Sequence, residues 1–77
     1  MPHVIVKLSP GKTEEQKLEL ARRIAENLIN IAECQEKNIS VAVEEIPKEE
    51  WVEKVYKPDI LKKKDLLYRK PGYNPLK

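Results

Sequence analysis

The spacing of hydrophobic and polar positions changes along the chain and divides it into successive elements. Residues 3–8 are mainly β-branched and end at a cluster of turn formers, which predicts a strand. From Thr13 the apolar residues recur at three-and-four spacing, which predicts one amphipathic helix of about six turns that fades near residues 34–37. Thr13 and Gln16 fit a capping box at the start of this helix. The alternation over residues 39–46 predicts a second strand.

Strand, long helix and strand form a βαβ unit, whose strands should be parallel and whose crossover should be right-handed. One helix covers only one face of the sheet, so apolar side chains such as Ile5 and Ala42 would lie on the bare face. A second copy of the chain is the simplest cover for that face. The predicted fold class is therefore α/β: a βαβ protomer with a C-terminal helical extension, paired with its partner into a four-stranded sheet as a homodimer.

The C-terminal extension begins at Pro47, which suits the first position of a new helix. Its apolar side consists of Trp51, Val52, Val55 and Tyr56. Pro58 should kink this helix or open a further turn, after which the apolar stripe continues to about Arg69. Residues 70–75 predict a turn followed by a loosely held end.

Length and composition limit the possible functions. The 77 residues allow one domain, residues 1–77, whose core would be marginal without a partner. Cys34 is the only cysteine, which excludes an internal disulfide, and together with His3 it cannot fill a zinc site, so we predict no metal and no cofactor. A net charge of +2 argues against a nucleic-acid partner. No apolar run approaches the roughly 20 residues that span a bilayer and no signal peptide is evident, so we expect a cytoplasmic protein without a membrane partner.

The most unusual chemical group is the chain terminus. The sequence holds no nucleophile with a base at a recognisable spacing, no glycine-rich phosphate loop and no metal-ligand cluster. If Met1 is removed, Pro2 becomes a terminal residue with a free secondary amine. An α-amino group has a pKa near 8, and partial burial or a nearby cation lowers that pKa further. Such an amine can act as a general base near neutral pH.

From Pro2 to about Trp51 the sequence resembles the 4-oxalocrotonate tautomerase family, whose N-terminal proline is the catalytic base. The resemblance rests on the Met-Pro start, the turn at residues 10–12, the segment 13–17 and the strand at residues 40–45. Beyond this stretch, Trp51 and the closing residues 70–73 are similar to a dimeric bacterial subgroup of the same superfamily. The resemblance implies the tautomerase fold and an isomerase that interconverts keto and enol groups.

The resemblance also implies roles for individual residues. Pro2 matches the family's base, which moves a proton between the enol oxygen and a carbon of an unsaturated keto acid. A carboxylate-binding arginine falls at Lys12, which keeps the charge but loses the two-donor fork. A second arginine falls at Ser40, which can donate one hydrogen bond but supplies no charge. The aromatic wall of the pocket falls at Trp51.

These departures argue against a dicarboxylate substrate and favour the enol of a 2-keto mono-acid such as phenylpyruvate. His3 could donate into the site, but alternation along the strand favours a structural role for it. Two alternatives stay open at this point. The same Pro2-dependent site could hydrate or decarboxylate an unsaturated acid, or the chain could be an oligomeric binding protein without catalysis.

Overall fold

The computed structural model describes all 77 residues. Its internal contacts divide the chain into two compact units, residues Met1–Glu45 and Ile46–Lys77, which are described in turn. That residues 1–77 act as a single domain stays a prediction. No helix of the chain combines the length and the apolarity needed to cross a membrane.

The first unit contains the predicted βαβ arrangement. Strand β1 covers His3–Leu8, helix α1 covers Glu14–Asn30 and strand β2 covers Ser40–Glu45. The strands are parallel, and each residue of β1 faces one residue of β2 from the pair His3–Ser40 to the pair Leu8–Glu45. The sequence prediction of a parallel strand–helix–strand unit is confirmed, with β2 one residue shorter at each end than the alternation indicated.

Helix α1 begins as the sequence predicts. Thr13 is the N-cap, and its hydroxyl accepts a hydrogen bond of 3.1 Å from the backbone N–H of Gln16. The Gln16 side chain accepts a bond of 2.9 Å from the backbone N–H of Thr13, which completes the capping box. Glu14 and Glu15 lie in the first turn, where carboxylates are favourable beside the positive end of the helix dipole.

The predicted C-terminal end of α1 was wrong. The helix ends at Asn30 after 17 residues instead of continuing to residues 34–37. Glu33 has φ 58°, in the left-handed region, and the Cys34 backbone N–H donates to the Leu28 carbonyl at 3.1 Å. This reversal satisfies a terminal carbonyl of the helix. The apolar spacing continues past the true end because Ile31 and Ala32 are apolar without being helical.

One face of the sheet contacts α1 and the other does not. Lys17 of α1 reaches the Glu45 side chain, so Glu45 lies on the helix side, and alternation along β2 places Val43 on the same side. Ile5 and its register partner Ala42 therefore lie on the opposite face. Ile5 is 48% exposed, which agrees with the bare apolar face predicted from the sequence.

The second unit contains tighter and wider turns than a regular α-helix. It consists of 3₁₀ turns at Lys48–Glu50 and Lys64–Leu66 and a π-helix at Val52–Leu61. Pro47 is the N-cap residue before the first 3₁₀ turn, one place earlier than predicted. Within this unit Val55 and Tyr56 are the buried apolar residues, 4% and 6% exposed, as the predicted apolar side requires.

Pro58 lies inside the π-helix. A proline has no backbone N–H, and its ring clashes with the carbonyl four residues earlier in a regular α-helix. The wider turn, with bonds such as that from the Lys62 N–H to the Lys57 carbonyl at 3.0 Å, relieves that crowding. The sequence predicted a kink or a further turn at Pro58, whereas the structure has a continuous wide helix there.

The predicted loosely held end was wrong at Tyr73. The Tyr73 ring packs against the Tyr56 ring, with centroids 5.8 Å apart, and the Tyr73 hydroxyl accepts a hydrogen bond of 3.0 Å from the Trp51 indole N–H. Aromatic contacts of this kind add to the stabilisation from buried area. The tail is therefore held to its own unit at this residue.

Candidate active site

Pro2 stands directly before β1 and is half-buried. Its carbonyl accepts a hydrogen bond of 3.3 Å from the backbone N–H of Ser40, the first residue of β2. The proline ring removes rotation about φ, and this bond extends the parallel ladder to the residue that would carry the base. The start of the chain is therefore fixed by the sheet.

The predicted donor Ser40 already has a side-chain partner. Its Oγ lies 2.6 Å from Nδ1 of His3, the residue opposite it in the sheet register. Both side chains are exposed, on the face that α1 does not contact. The sequence favours a structural role for His3, because strand alternation turns its side chain away from that of Pro2. Only the register of the two strands, which the sequence leaves open, brings it to Ser40.

Lys12 lies at the other end of β1 from Pro2. It is exposed, it follows Gly11 at φ 123°, and it lines a shallow groove of about 240 Å³ with Leu8 and Leu20. A strand of this length spans about 20 Å. Within one chain the structure therefore brings Pro2 and Ser40 together but leaves Lys12 apart from them.

The charges around Lys12 leave its ammonium free for an anion. The neighbouring Lys17 donates to Glu45 Oε1 at 2.8 Å, and the Gly11 backbone N–H donates to Glu45 Oε2 at 3.3 Å. The Lys17 bond, followed by that of Gly11, holds the pKa of Glu45 below its ordinary value of 4.5. Glu45 in turn raises the pKa of Lys17 above 10.5. Lys12 has no carboxylate within ion-pair distance, so it is the available cation at this end of the strand.

Trp51 belongs to the second unit and is half-buried. Its indole N–H is satisfied by Tyr73, so the rest of the ring can serve as an apolar surface without leaving an unpaired donor. Tyr73 was not among the predicted site residues, although it closes the segment at residues 70–73 that supported the resemblance.

Other charged and concave features of the first unit contain none of the predicted site residues. Arg22 and Arg23 both bind Glu19 on the outer side of α1, and Arg22 first, then Arg23, lowers the pKa of Glu19 to about 2. An open groove of about 590 Å³ runs along the same side of the helix between Thr13 and Arg23. No three His, Cys, Asp or Glu side chains are grouped so that they could hold a metal ion.

Comparison with known proteins gives consistent matches over most of the chain. A family described as "Tautomerase enzyme" matches residues 2–55. The probable tautomerase of Xylella fastidiosa (strain 9a5c) is 40% identical over 76 residues, covering 99% of this chain and 93% of that protein. Tautomerase PptA of Enterobacter sp. (strain 638) is 39% identical over 75 residues, covering 96% and 99%.

Solved structures agree. The crystal structure of YwhB, described as a homologue of 4-oxalocrotonate tautomerase, superposes with a TM-score of 0.59 at 36% identity, over 61% of this chain and 77% of that one. The family match over residues 2–55 contains Pro2, Lys12 and Ser40. The chain therefore belongs to the tautomerase enzyme family, in the 4-oxalocrotonate tautomerase group, and is an isomerase-type enzyme.

Proposed function

We propose that this chain interconverts the keto and enol forms of a 2-keto acid, with the nitrogen of Pro2 as the base and acid of a 1,3-proton shift. The observation that supports this most directly is the position of Pro2. It is the first residue of the family match, and the sheet holds it through the bond between its carbonyl and the Ser40 amide. A base held in place in this way does not have to be ordered when the substrate binds.

The mechanism requires removal of Met1. While Met1 is attached, the Pro2 nitrogen is part of a tertiary amide and has no basic lone pair. Met1 is fully exposed, so a processing enzyme can reach it. The freed secondary amine takes the proton from the enol hydroxyl and leaves an enolate. The oxygen electrons then form the carbonyl while the electrons of the carbon–carbon double bond take the proton back from the same nitrogen at C3, which leaves the ketone and the neutral amine.

A second copy of the chain supplies the carboxylate-binding cation in this proposal. Pairing two copies along β1 in antiparallel orientation gives the predicted four-stranded sheet and sets Lys12 of one copy beside Pro2 of the other. This pairing leaves the bare faces at Ile5 and Ala42 on one side of the sheet, as an apolar surface that association with a further copy can bury. Trp51 stays the proposed apolar wall for the substrate, as the family resemblance implies.

The substrate class follows from the charges available. Lys12 offers one positive charge without the fork of a guanidinium, and Ser40 offers none. A mono-acid with an apolar tail, such as the enol of phenylpyruvate, satisfies one cation and one apolar wall. A dicarboxylate would leave one anionic end without a partner. The cytoplasmic location expected from the sequence remains a prediction.

Turnover of phenylenolpyruvate by processed protein tests this function. Intact-protein mass must first show that Met1 is absent. We expect Pro2→Ala to lower kcat/KM at least a hundredfold, whereas the matched variant Pro75→Ala, in the exposed tail, should match the parent enzyme. Activity should fall as the pH drops and the amine becomes charged; the opposite profile would favour the hydratase alternative. Unchanged turnover in Pro2→Ala would show that the terminal amine is not the base.

A further inference from the structure

Position 40 has no charged side chain where the resemblance implies the second family arginine, but its serine belongs to a hydrogen-bonded pair. Ser40 Oγ and His3 Nδ1 are 2.6 Å apart on adjacent strands, in the register pair directly beside Pro2. His3 is the only histidine of the chain. Both side chains are exposed, so a ligand can reach them without any rearrangement of the sheet.

We propose that His3 and Ser40 act as one hydrogen-bonding unit that binds the 2-keto or enol oxygen of the substrate, in place of the guanidinium that the family resemblance implies at position 40. This inference rests on the proposed function, because it adds two groups to the same site. It changes the role of His3 from structural to substrate-binding and makes Ser40 one half of a pair.

The count of hydrogens supports this assignment. The neutral pair has one hydroxyl hydrogen and one ring N–H, and the bond between Oγ and Nδ1 uses one of them. One donor is therefore always left, on Ser40 Oγ when the ring donates or on His3 Nε2 when the hydroxyl donates. When the ring is protonated, Nδ1–H donates to Ser40, and both the hydroxyl and Nε2–H are left for the ligand together with a positive charge. The protonated pair thus offers two donors and one charge, like the two-donor fork that a guanidinium presents to a carboxylate.

The surroundings leave the pair available to an anion. No carboxylate lies within ion-pair distance of His3. The charged residues on the same sheet face are Lys7 and Glu44, which face each other four positions further along, about 13 Å away. The nearest groups along the strands are Ile5 and Ala42, which cannot compete for the donors.

Steady-state kinetics on phenylenolpyruvate test the inference through non-additivity. We expect His3→Ala and Ser40→Ala each to lower kcat/KM about tenfold, and the double variant to lower it little further, because the two groups act as one. Added imidazole should restore the activity of His3→Ala but not that of the double variant. His3→Asn, which keeps a donor near the Nδ1 position but lacks Nε2 and the charge, should remain low. Ser9→Ala, the other serine of the chain, is the matched control and should be unaffected.

A binding measurement separates this inference from the proposed function. Benzoylformate is a 2-keto acid that cannot enolise, because its keto carbon has no neighbouring C–H. Since His3 is the only histidine, ¹⁵N resonances of its ring report on the site without ambiguity. We expect titration with benzoylformate to give a saturable shift of these resonances, whether or not the enzyme turns over. The affinity obtained from that shift should be at least fivefold lower in Ser40→Ala. No shift on titration, or wild-type kinetics of His3→Ala in a preparation that Pro2→Ala inactivates, would overturn the inference. Loss of the Pro2 effect alone would overturn only the proposed function.

Discussion

Lys17 and Glu45 join helix α1 to the end of strand β2, with Lys17 Nζ 2.8 Å from Glu45 Oε1. Glu45 also accepts a bond from the backbone of Gly11, in the turn that leads to Lys12. One carboxylate therefore fixes the helix, the sheet and the turn that presents the proposed carboxylate-binding cation. Lys17 is half-buried, with 19% of its side chain exposed, whereas both partners of the Arg22–Glu19 and Arg23–Glu19 pairs along α1 are more exposed.

We predict that Glu45→Gln lowers the melting temperature near neutral pH and that the loss disappears in acid. The pKa of Glu45 is below its ordinary 4.5 in the folded chain, so the carboxylate favours folding above pH 4.5. That contribution is lost as the pH falls through the folded pKa. The pKa of Lys17 is raised above 10.5 in the folded chain, so the ion pair keeps its contribution to stability at high pH. That contribution is lost only as the pH rises above 10.5, through the folded pKa of Lys17. Thermal unfolding of the parent and the variant across pH measures the difference, and Glu44→Gln, the neighbour on the other sheet face, is the control. An equal difference at pH 2 and pH 7 would contradict this prediction.

We predict that Tyr73→Phe destabilises the chain by about 1 kcal/mol, the usual contribution of one hydrogen bond. The variant keeps the ring that packs on Tyr56 and removes only the acceptor for the Trp51 indole N–H. Trp51 is the only tryptophan, so the tryptophan emission of the folded variant should shift, and that shift can come only from this residue. Urea unfolding followed by fluorescence measures both effects. Tyr68→Phe changes a tyrosine that is fully exposed, so it should leave stability and emission as they were.

We predict that Ile5→Lys weakens self-association at least tenfold. Ile5 is the exposed apolar centre of the sheet face that α1 leaves bare, and burying an unpaired ammonium there is costly. Sedimentation equilibrium over a concentration series measures the change. Leu18→Lys is the matched control, since Leu18 is 69% exposed on α1 and outside that face. Turnover per chain should fall with the associated fraction, because each proposed site needs Lys12 of another copy. A monomeric parent protein at micromolar concentration would contradict the proposed shared site.

Local sequence signals predicted the elements of the first unit. The β-branched run gave β1 at its observed bounds, and the capping residues Thr13 and Gln16 gave the start of α1. These features depend on neighbours within a few residues, so the sequence determines them directly. The end of α1 was not predicted, because Glu33 takes the left-handed conformation there instead of the usual glycine or asparagine.

Contacts between distant residues were not predicted. The bond between His3 and Ser40 depends on the register of two strands that are 37 residues apart in sequence, and alternation alone does not fix that register. The bond between Trp51 and Tyr73 depends on how the tail folds back on its own unit. The roles of Pro2, Lys12, Ser40 and Trp51 came from the resemblance, and their joint action in one site is still a prediction.

The bond between the Pro2 carbonyl and the Ser40 amide has an evolutionary consequence. It uses only backbone atoms at position 40, so any residue other than proline can provide it. Exchanging the side chain there can therefore leave the backbone that holds Pro2, the proposed base, in place while the groups offered to a substrate change. Such an uncoupling of specificity from catalysis would let a small scaffold diversify one substitution at a time.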